Sequence, residues 1–256
     1  MSHSEWPASN YAVGSYLQAK VAEQYLHSLM LQAGDSVLDI GCGDGAFSTK
    51  ILDRFPITLL GIDRSLNMLE LARQRMSDYP NFSVRAGDVL TMSFNQQFDY
   101  IVSFWCLHWC SDLKCAFRNM YQALKQDGKL FIIVPAGDDS LVSSFNFIKN
   151  SGKYPCLKDF KSPIDYTEIA RLAELIKTIP FKHSKAEIVQ HSIILPSLDI
   201  YRKFVNGLPF FDGQVPEEEI VNLNEALVQA FALECEKLYQ GRYQLNVSIY
   251  LVRAER

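Results

Sequence analysis

The sequence predicts an α/β fold built on a doubly wound, mostly parallel sheet, and three observations predict it. Short apolar runs alternate with stretches of helical spacing between residues 36 and 135. The first run ends in a cluster of glycines that leads into a helical pattern. The segments between runs are long enough for crossover helices, the connection that parallel strands require.

The elements follow in order. Ser36–Ile40 (SVLDI) is a short β-rich run, and Ala46–Phe55 carries helical spacing through Phe47, Ile51, Leu52 and Phe55. Ile57–Ile62 (ITLLGI) reads as a buried strand. Ser65 is placed to cap a helix to Met76, with Met68, Leu69 and Ala72 on its inner face. Asn81–Arg85 and Phe98–Phe104 are the third and fourth strands. Asp112 caps a predicted helix to Leu124, Asp127–Gly128 is a predicted turn, and Lys129–Val134 is the fifth strand. After Pro135 the rhythm breaks. Residues 138–165 hold a predicted helix at Leu141–Lys149 and a loop with Gly152, Pro155 and Pro163, which reads as a lid inserted into a single domain spanning 1–256. A helix over Tyr166–Thr178, a strand over Ala186–Leu195 and a short helix over Leu198–Val205 follow. Pro216 and the acidic run Glu217–Glu219 suit the start of a long helix to Tyr239. The run Tyr243–Val252 is a terminal strand.

Composition narrows the function classes. The 256 residues are 48% hydrophobic and 21% charged, which argues against disorder, and 13 Gly with 10 Pro exclude a collagen-like or low-complexity chain. A net charge of −4 with scattered Lys and Arg points away from nucleic acid. No apolar run reaches the roughly 18 residues that a bilayer requires, and the start shows no basic region followed by an apolar run. The six cysteines read as reduced thiols of a cytoplasmic protein.

The strongest motif is Val37-Leu-Asp-Ile-Gly-Cys-Gly-Asp-Gly45, a strand feeding a glycine-rich turn and a helix. Glycines let the chain turn tightly and let a ligand approach the main chain. Asp63, at the end of the second strand, can accept hydrogen bonds from a ribose diol. Gly41, Gly43 and Ala46 also satisfy the looser dinucleotide pattern, so the loop alone leaves a nicotinamide open. Two acids favour S-adenosylmethionine. Asp39, expected at the mouth of the loop, repels a pyrophosphate and attracts an ammonium. Asp88, after the third strand, can bond an adenine amino group. For each acid the plain alternative is a turn residue or a helix cap.

VLDIGCGDG, LLGIDRS with Asp63, AGDVL with Asp88, FDYIVSFWCLHW and LKQDGKLFIIVP resemble the successive motifs of class I S-adenosylmethionine-dependent methyltransferases. The likeness covers residues 10–135. It implies a Rossmann-like, seven-stranded sheet with an antiparallel last strand. It also implies a cofactor site at Asp39, Gly41, Cys42, Gly43, Asp63, Arg64, Met68, Asp88, Val89 and Ser103. Within that family, Tyr11–Gln18 is similar to the start of the malonyl-carrier-protein methyltransferases, and the juvenile hormone acid methyltransferases carry a similar glutamine. Phe104–Trp109 resembles an element of both and of the trans-aconitate methyltransferases, and Ile194–Val205 with the closing YLVRAER resembles the last of these. The resemblance implies O-methylation of a small acid or an acyl-carrier thioester. Methylation of a hydroxyl, amine or carbon centre, with His108 as base, is the alternative.

A carboxylate acceptor is ionised at neutral pH and needs no base. His108 is open between a substrate contact, a base and a residue ordering its loop through a backbone carbonyl. Trp109 is open between covering the substrate and anchoring the loop. Gln18 can bond a substrate carboxylate through its amide or sit on an exposed helix face, and Tyr11 and Tyr16 either close over the cofactor or pack. Cys106, His108, Cys110 and Cys115 are ligand types, but they lack the paired short spacings of structural zinc sites, so no metal is expected. Lys149, Lys153, Lys158 and Lys161 either attract an acidic substrate or form a solvated face. Phe204, Phe210 and Phe211 either shape a wall of the site or belong to the core.

Overall fold

The computed structural model describes residues 16–256. Tyr11 and most of the segment resembling the carrier-protein methyltransferases lie outside the described residues. The described residues open with α1 (Tyr16–Glu23), then β1 (Ser36–Ile40), α2 (Ala46–Leu52), β2 (Thr58–Asp63), α3 (Leu66–Met76), β3 (Phe82–Ala86), β4 (Phe98–Phe104), α4 (Leu113–Ala123) and β5 (Leu124–Pro135). It continues with α5 (Ser140–Asn150), α6 (Tyr166–Ala170), α7 (Leu172–Ile176), β6 (His183–Ile194), α8 (Leu198–Asn206), α9 (Glu217–Tyr239) and β7 (Gln244–Glu255).

One seven-stranded sheet runs β3-β2-β1-β4-β5-β7-β6. The contacts among β1 to β5 are parallel, and β7 runs antiparallel to both β5 and β6. The strand order reverses between β1 and β4. Chains leaving these two strands diverge to opposite sides and open a crevice at their carboxyl ends, where open α/β sheets bind ligands.

Period-two alternation distributes the core. Leu130, Ile132 and Val134 of β5 face one apolar layer with Leu113, Phe117 and Met120 of α4. Phe131 and Ile133 face the opposite layer with Val21 of α1 and Ile51 of α2. A third apolar cluster lies apart from these layers and joins α5, α8 and α9, with Leu157, Phe160, Phe210 and Phe211 between them. Phe145 and Phe160 sit with ring centroids 5.3 Å apart, and Tyr201 stacks on Phe231 at 4.0 Å. Residues 140–160, expected as a lid, thus share a core with the two later helices.

The predicted caps are present: Ser65 Oγ accepts from the Met68 amide, and Asp112 Oδ1 from the Cys115 amide. Two expectations differ from the structure. The turn at Asp127–Gly128 lies inside β5. Leu124 pairs with Phe98 and Lys129 with Tyr100, so residues 125–128 bulge outward, with Asp127 left-handed at φ 60°. The single helix over Tyr166–Thr178 is broken at Arg171. The Ala170 carbonyl accepts from Tyr250 Oη at 3.2 Å, while the Glu174 amide turns to Arg171 O. A side chain entering the ladder interrupts it. Among the described residues no helix is long and apolar enough to cross a membrane.

Candidate active site

The glycine loop turns because Gly41, Gly43 and Gly45 take positive φ values of 73°, 56° and 74°. At Gly41 the requirement is twofold. L side chains seldom adopt that backbone, and a Cβ there would collide with the Cys106 side chain. The loop amides are occupied internally. Gly41 and Cys42 N–H donate to Ile62 O, Gly43 N–H to Asp63 Oδ2 at 2.9 Å, Gly45 N–H to Cys42 O, and Ala46 N–H to Asp44 Oδ1. A pyrophosphate is bound by outward-pointing amides at a helix start, and here those five amides point inward. The dinucleotide reading of the loop finds no phosphate cradle in them.

Acids dominate instead. Asp63 accepts from Gly43 N–H and, at 2.9 Å, from Ser65 N–H, and burial still holds its pKa above the usual range. Asp39 corrects an expectation. It lies 2% exposed beneath the loop, not at the mouth, and accepts from Ser48 Oγ at 2.7 Å. Its position inside β1, between β2 and β4, turns the side chain under the strand-to-helix turn. Burial foremost, with the Asp63 charge adding, pushes its pKa up to about 7. Asp88 accepts from Leu90 N–H at 2.9 Å and lies 3.6 Å from Arg64 Nε.

The remaining predicted cofactor residues sit around these acids in supporting positions. Ser103 is buried and its Oγ donates to Ile40 O at 2.8 Å, tying β4 to the end of β1. Cys42 is buried against Gly61, with its thiol pKa raised by desolvation. Met68 is buried at the start of α3. Val89 is buried, and its carbonyl accepts from Asn119 Nδ2. Arg75 carried no signal in the sequence. From the last turn of α3, its Nε donates to Asp44 O at 2.9 Å and its Nη2 to Asp44 Oδ2 at 3.0 Å, clamping the loop from behind.

Beyond the end of β4 the chain makes a tight 3₁₀ turn, Leu107–Trp109. Trp105 just before it is left-handed at φ 58°, a conformation rare for a bulky residue and frequent at functional sites. Its Nε1 donates to Gln18 O at 3.0 Å, fastening α1 over the turn. A cavity opens there. Gln18, His108 and Trp109 all line it, so three residues expected at the acceptor site come together from two remote segments. Asp139, Tyr166 and Asn246 complete its polar wall. These three carried no acceptor signal in the sequence: Asp139 caps α5 through the Val142 amide, and Asn246 arrives on the terminal strand. Phe204 and Phe210 form apolar wall, whereas Phe211 is core. Tyr16 is 43% exposed under Lys20, outside this lining.

His108 is buried, with its ring 5.2 Å from that of Trp109, and its Nδ1 has no hydrogen-bond partner. Nδ1 makes no bond to a backbone carbonyl. Desolvation pushes its pKa down to about 3, so the imidazole is neutral across the physiological range. Among the described residues no group of three or more His, Cys, Asp and Glu is arranged to hold a metal ion.

The comparisons with known proteins agree with this geometry. Residues 37–128 match the family described as "Methyltransferase domain". The chain is 32% identical over 131 residues to malonyl-acyl-carrier-protein O-methyltransferase of Acetivibrio thermocellus, covering 50% of this chain and 46% of that one. It is 25% identical over 190 residues to juvenile hormone acid O-methyltransferase of Bombyx mori, covering 69% and 68%. The chain spans less than two thirds of the length of several curated relatives it matches. Phosphoethanolamine N-methyltransferase 2 of Haemonchus contortus, solved with phosphomonomethylethanolamine and S-adenosylhomocysteine, superposes with a TM-score of 0.62 at 18% identity, covering 99% of this chain and 59% of that one. At that identity the likeness is one of fold. Over residues 37–128, the sheet order and the glycine turn are those of the matched methyltransferase domain.

Proposed function

We propose that this protein methylates the carboxylate of a small acid or acyl-carrier thioester, using S-adenosylmethionine bound at the glycine loop. The donor set fits that cofactor. Asp39 is buried and Asp63 half-buried, both with raised pKa values, and a cationic ligand relieves the cost of their charge. In the assignment, Asp63 takes the ribose hydroxyls, Asp88 the adenine edge and Asp39 the field at the ammonium. Gly41, Gly43 and Cys42 allow close approach. Arg64, Met68 and Val89 border the purine, and Ser103 holds the end of β4.

When bound, the cofactor supplies a sulfonium methyl whose displacement by a carboxylate oxygen forms an O–C bond, returns the S–C pair to sulfur and moves no proton. The chain's task is then position and dryness. Gln18 donates to the acceptor carboxylate, neutral His108 offers a second N–H, and Trp109 covers the reacting oxygen. Residues 138–165, packed on α9, close the cavity from above as a lid and exclude water. The observation that carries this reading is the convergence of Gln18, Trp109 and a neutral His108 with an unpartnered Nδ1 on one cavity. A histidine with a pKa near 3 is too weak a base for hydroxyl or amine chemistry at neutral pH.

The test is methyl transfer from cofactor labelled at the methyl group. Short di- and tricarboxylates, medium-chain fatty acids and malonyl carrier protein are offered separately, and each product is treated with mild base. Base-labile label recovered as methanol is expected. Label that survives base overturns the ester assignment and moves attention to Asp139, whose pKa is pushed up to about 6 by burial, as the base.

A further inference from the structure

The cavity's charge pattern selects among acids. Among the described residues, Asp139 is the one formally charged side chain lining it, and no lysine or arginine does. The lysines of residues 149–161 lie elsewhere. Lys149 Nζ donates to Phe160 O at 3.0 Å, and Lys153 lines a separate groove between α5 and α9. Leu17, Val21, Leu141, Ile164, Phe204 and Phe210 make most of the wall apolar.

Resting on the carboxyl-methylation reading above, we propose that the acceptor is an acid with one carboxylate on an apolar body, and that Asp139 excludes acids bearing a second carboxylate within the cavity. The physical reason is desolvation. A carboxylate at the reacting centre is matched by Gln18 and His108, and its charge is lost on methylation. A second carboxylate would stay charged in an apolar wall, with no cation to pair it and with Asp139 facing it. Asp139 cannot move away freely: its Oδ1 accepts from the Val142 amide at 2.9 Å at the start of α5. Behind it, left-handed Gly137 leaves no room for a Cβ against the Tyr166 ring, which fixes the approach to the cap.

The experiment measures kcat/KM for matched pairs, octanoate against suberate and dodecanoate against dodecanedioate, with trans-aconitate as a polyanion. The wild-type protein and Asp139→Asn are compared. Asparagine caps a helix as well as aspartate, so the substitution removes charge and keeps the bond to Val142. The monoacid is expected to exceed its diacid by about 10-fold or more, the effect of roughly one unpaired charge. D139N should narrow that ratio at least about threefold through the diacid, a change that a merely structural role for Asp139 would not produce. A wild-type preference for a diacid or for trans-aconitate overturns the inference and leaves carboxyl methylation standing. So does a ratio unchanged in D139N. If neither these acids nor malonyl carrier protein gains base-labile label while S-adenosylhomocysteine still raises Tm, the carboxyl reading fails and the inference fails with it. Should D139N not fold, the wild-type ranking still decides the substrate class.

Discussion

The glycine loop and the cavity beside it share the end of β4, yet they are held in opposite ways. The loop is fixed by polar bonds within a short stretch of chain. Five of its amides have internal acceptors, Asp63 takes Gly43 and Ser65, and Arg75 clamps Asp44 at two points. The cavity is held mainly by apolar contact among α1, the 3₁₀ turn, α5, α8 and β7, elements drawn from both ends of the chain. A site that binds one invariant cofactor gains from pre-set polar geometry. A site whose ligand differs between relatives gains from walls that can be repacked without disturbing the sheet.

This contrast predicts different responses to substitution. The largest effect is expected at Gly41→Ala, which combines a disfavoured left-handed φ with collision against Cys106. Loss of about 2–4 kcal/mol of stability is expected, together with loss of S-adenosylhomocysteine binding by calorimetry. Pairing it with Cys106→Gly should restore part of both. If G41A alone binds normally, the loop is more yielding than its bonds imply. Gln18→Ala should act on the other region only. It is expected to cut acceptor kcat/KM by about 10- to 100-fold, the effect of an unmatched polar group, and to leave cofactor affinity within about threefold. Weakened cofactor binding in Q18A would show that the two regions are not separable. Arg75→Met should weaken the cofactor by about 10-fold, the range of a charge-assisted bond pair, with acceptor KM unchanged.

The same contrast decides what a sequence can disclose. Asp39, Gly41, Asp63 and Asp88 lie at strand ends with characteristic neighbours, so residue type and spacing locate them without the fold. The sheet followed from apolar alternation, and the Ser65 and Asp112 caps followed from local chemistry. Asp39 was misplaced relative to the loop mouth because side-chain direction depends on strand register, which spacing does not carry. Asp139, Tyr166 and Asn246 were invisible as cavity residues because only the packing of α5 and the antiparallel return of β7 bring them together. The break at Arg171 was hidden for the same reason: it depends on Tyr250, far along the chain.

The smallest expected effect is also the one that measures both regions in a single titration. His108 in the cavity has a folded pKa near 3, below its unfolded value of 6.5, so it contributes stability present above pH 6.5 and lost as pH falls towards 3. Asp39 under the loop has a folded pKa near 7, above its unfolded 3.8, so its contribution is present below pH 3.8 and lost as pH rises through 7. Asp139, raised to about 6, has the sign of Asp39. Between about pH 4 and 6.5 the histidine and the acids oppose one another, each with a slope of at most about 1.4 kcal/mol per pH unit. Denaturant titrations of the ligand-free protein at several pH values separate them. In Asp39→Asn, stability should rise more steeply with pH than in the wild type, and the neutral-pH protein should be stabilised by about 1–2 kcal/mol once the buried charge is gone. In His108→Gln the slope should shift in the opposite sense, with stability falling as pH rises through this window. Slopes that stay parallel in all three proteins would mean that neither burial cost is real, and the raised acid at the loop could no longer be taken as a place prepared for a cation.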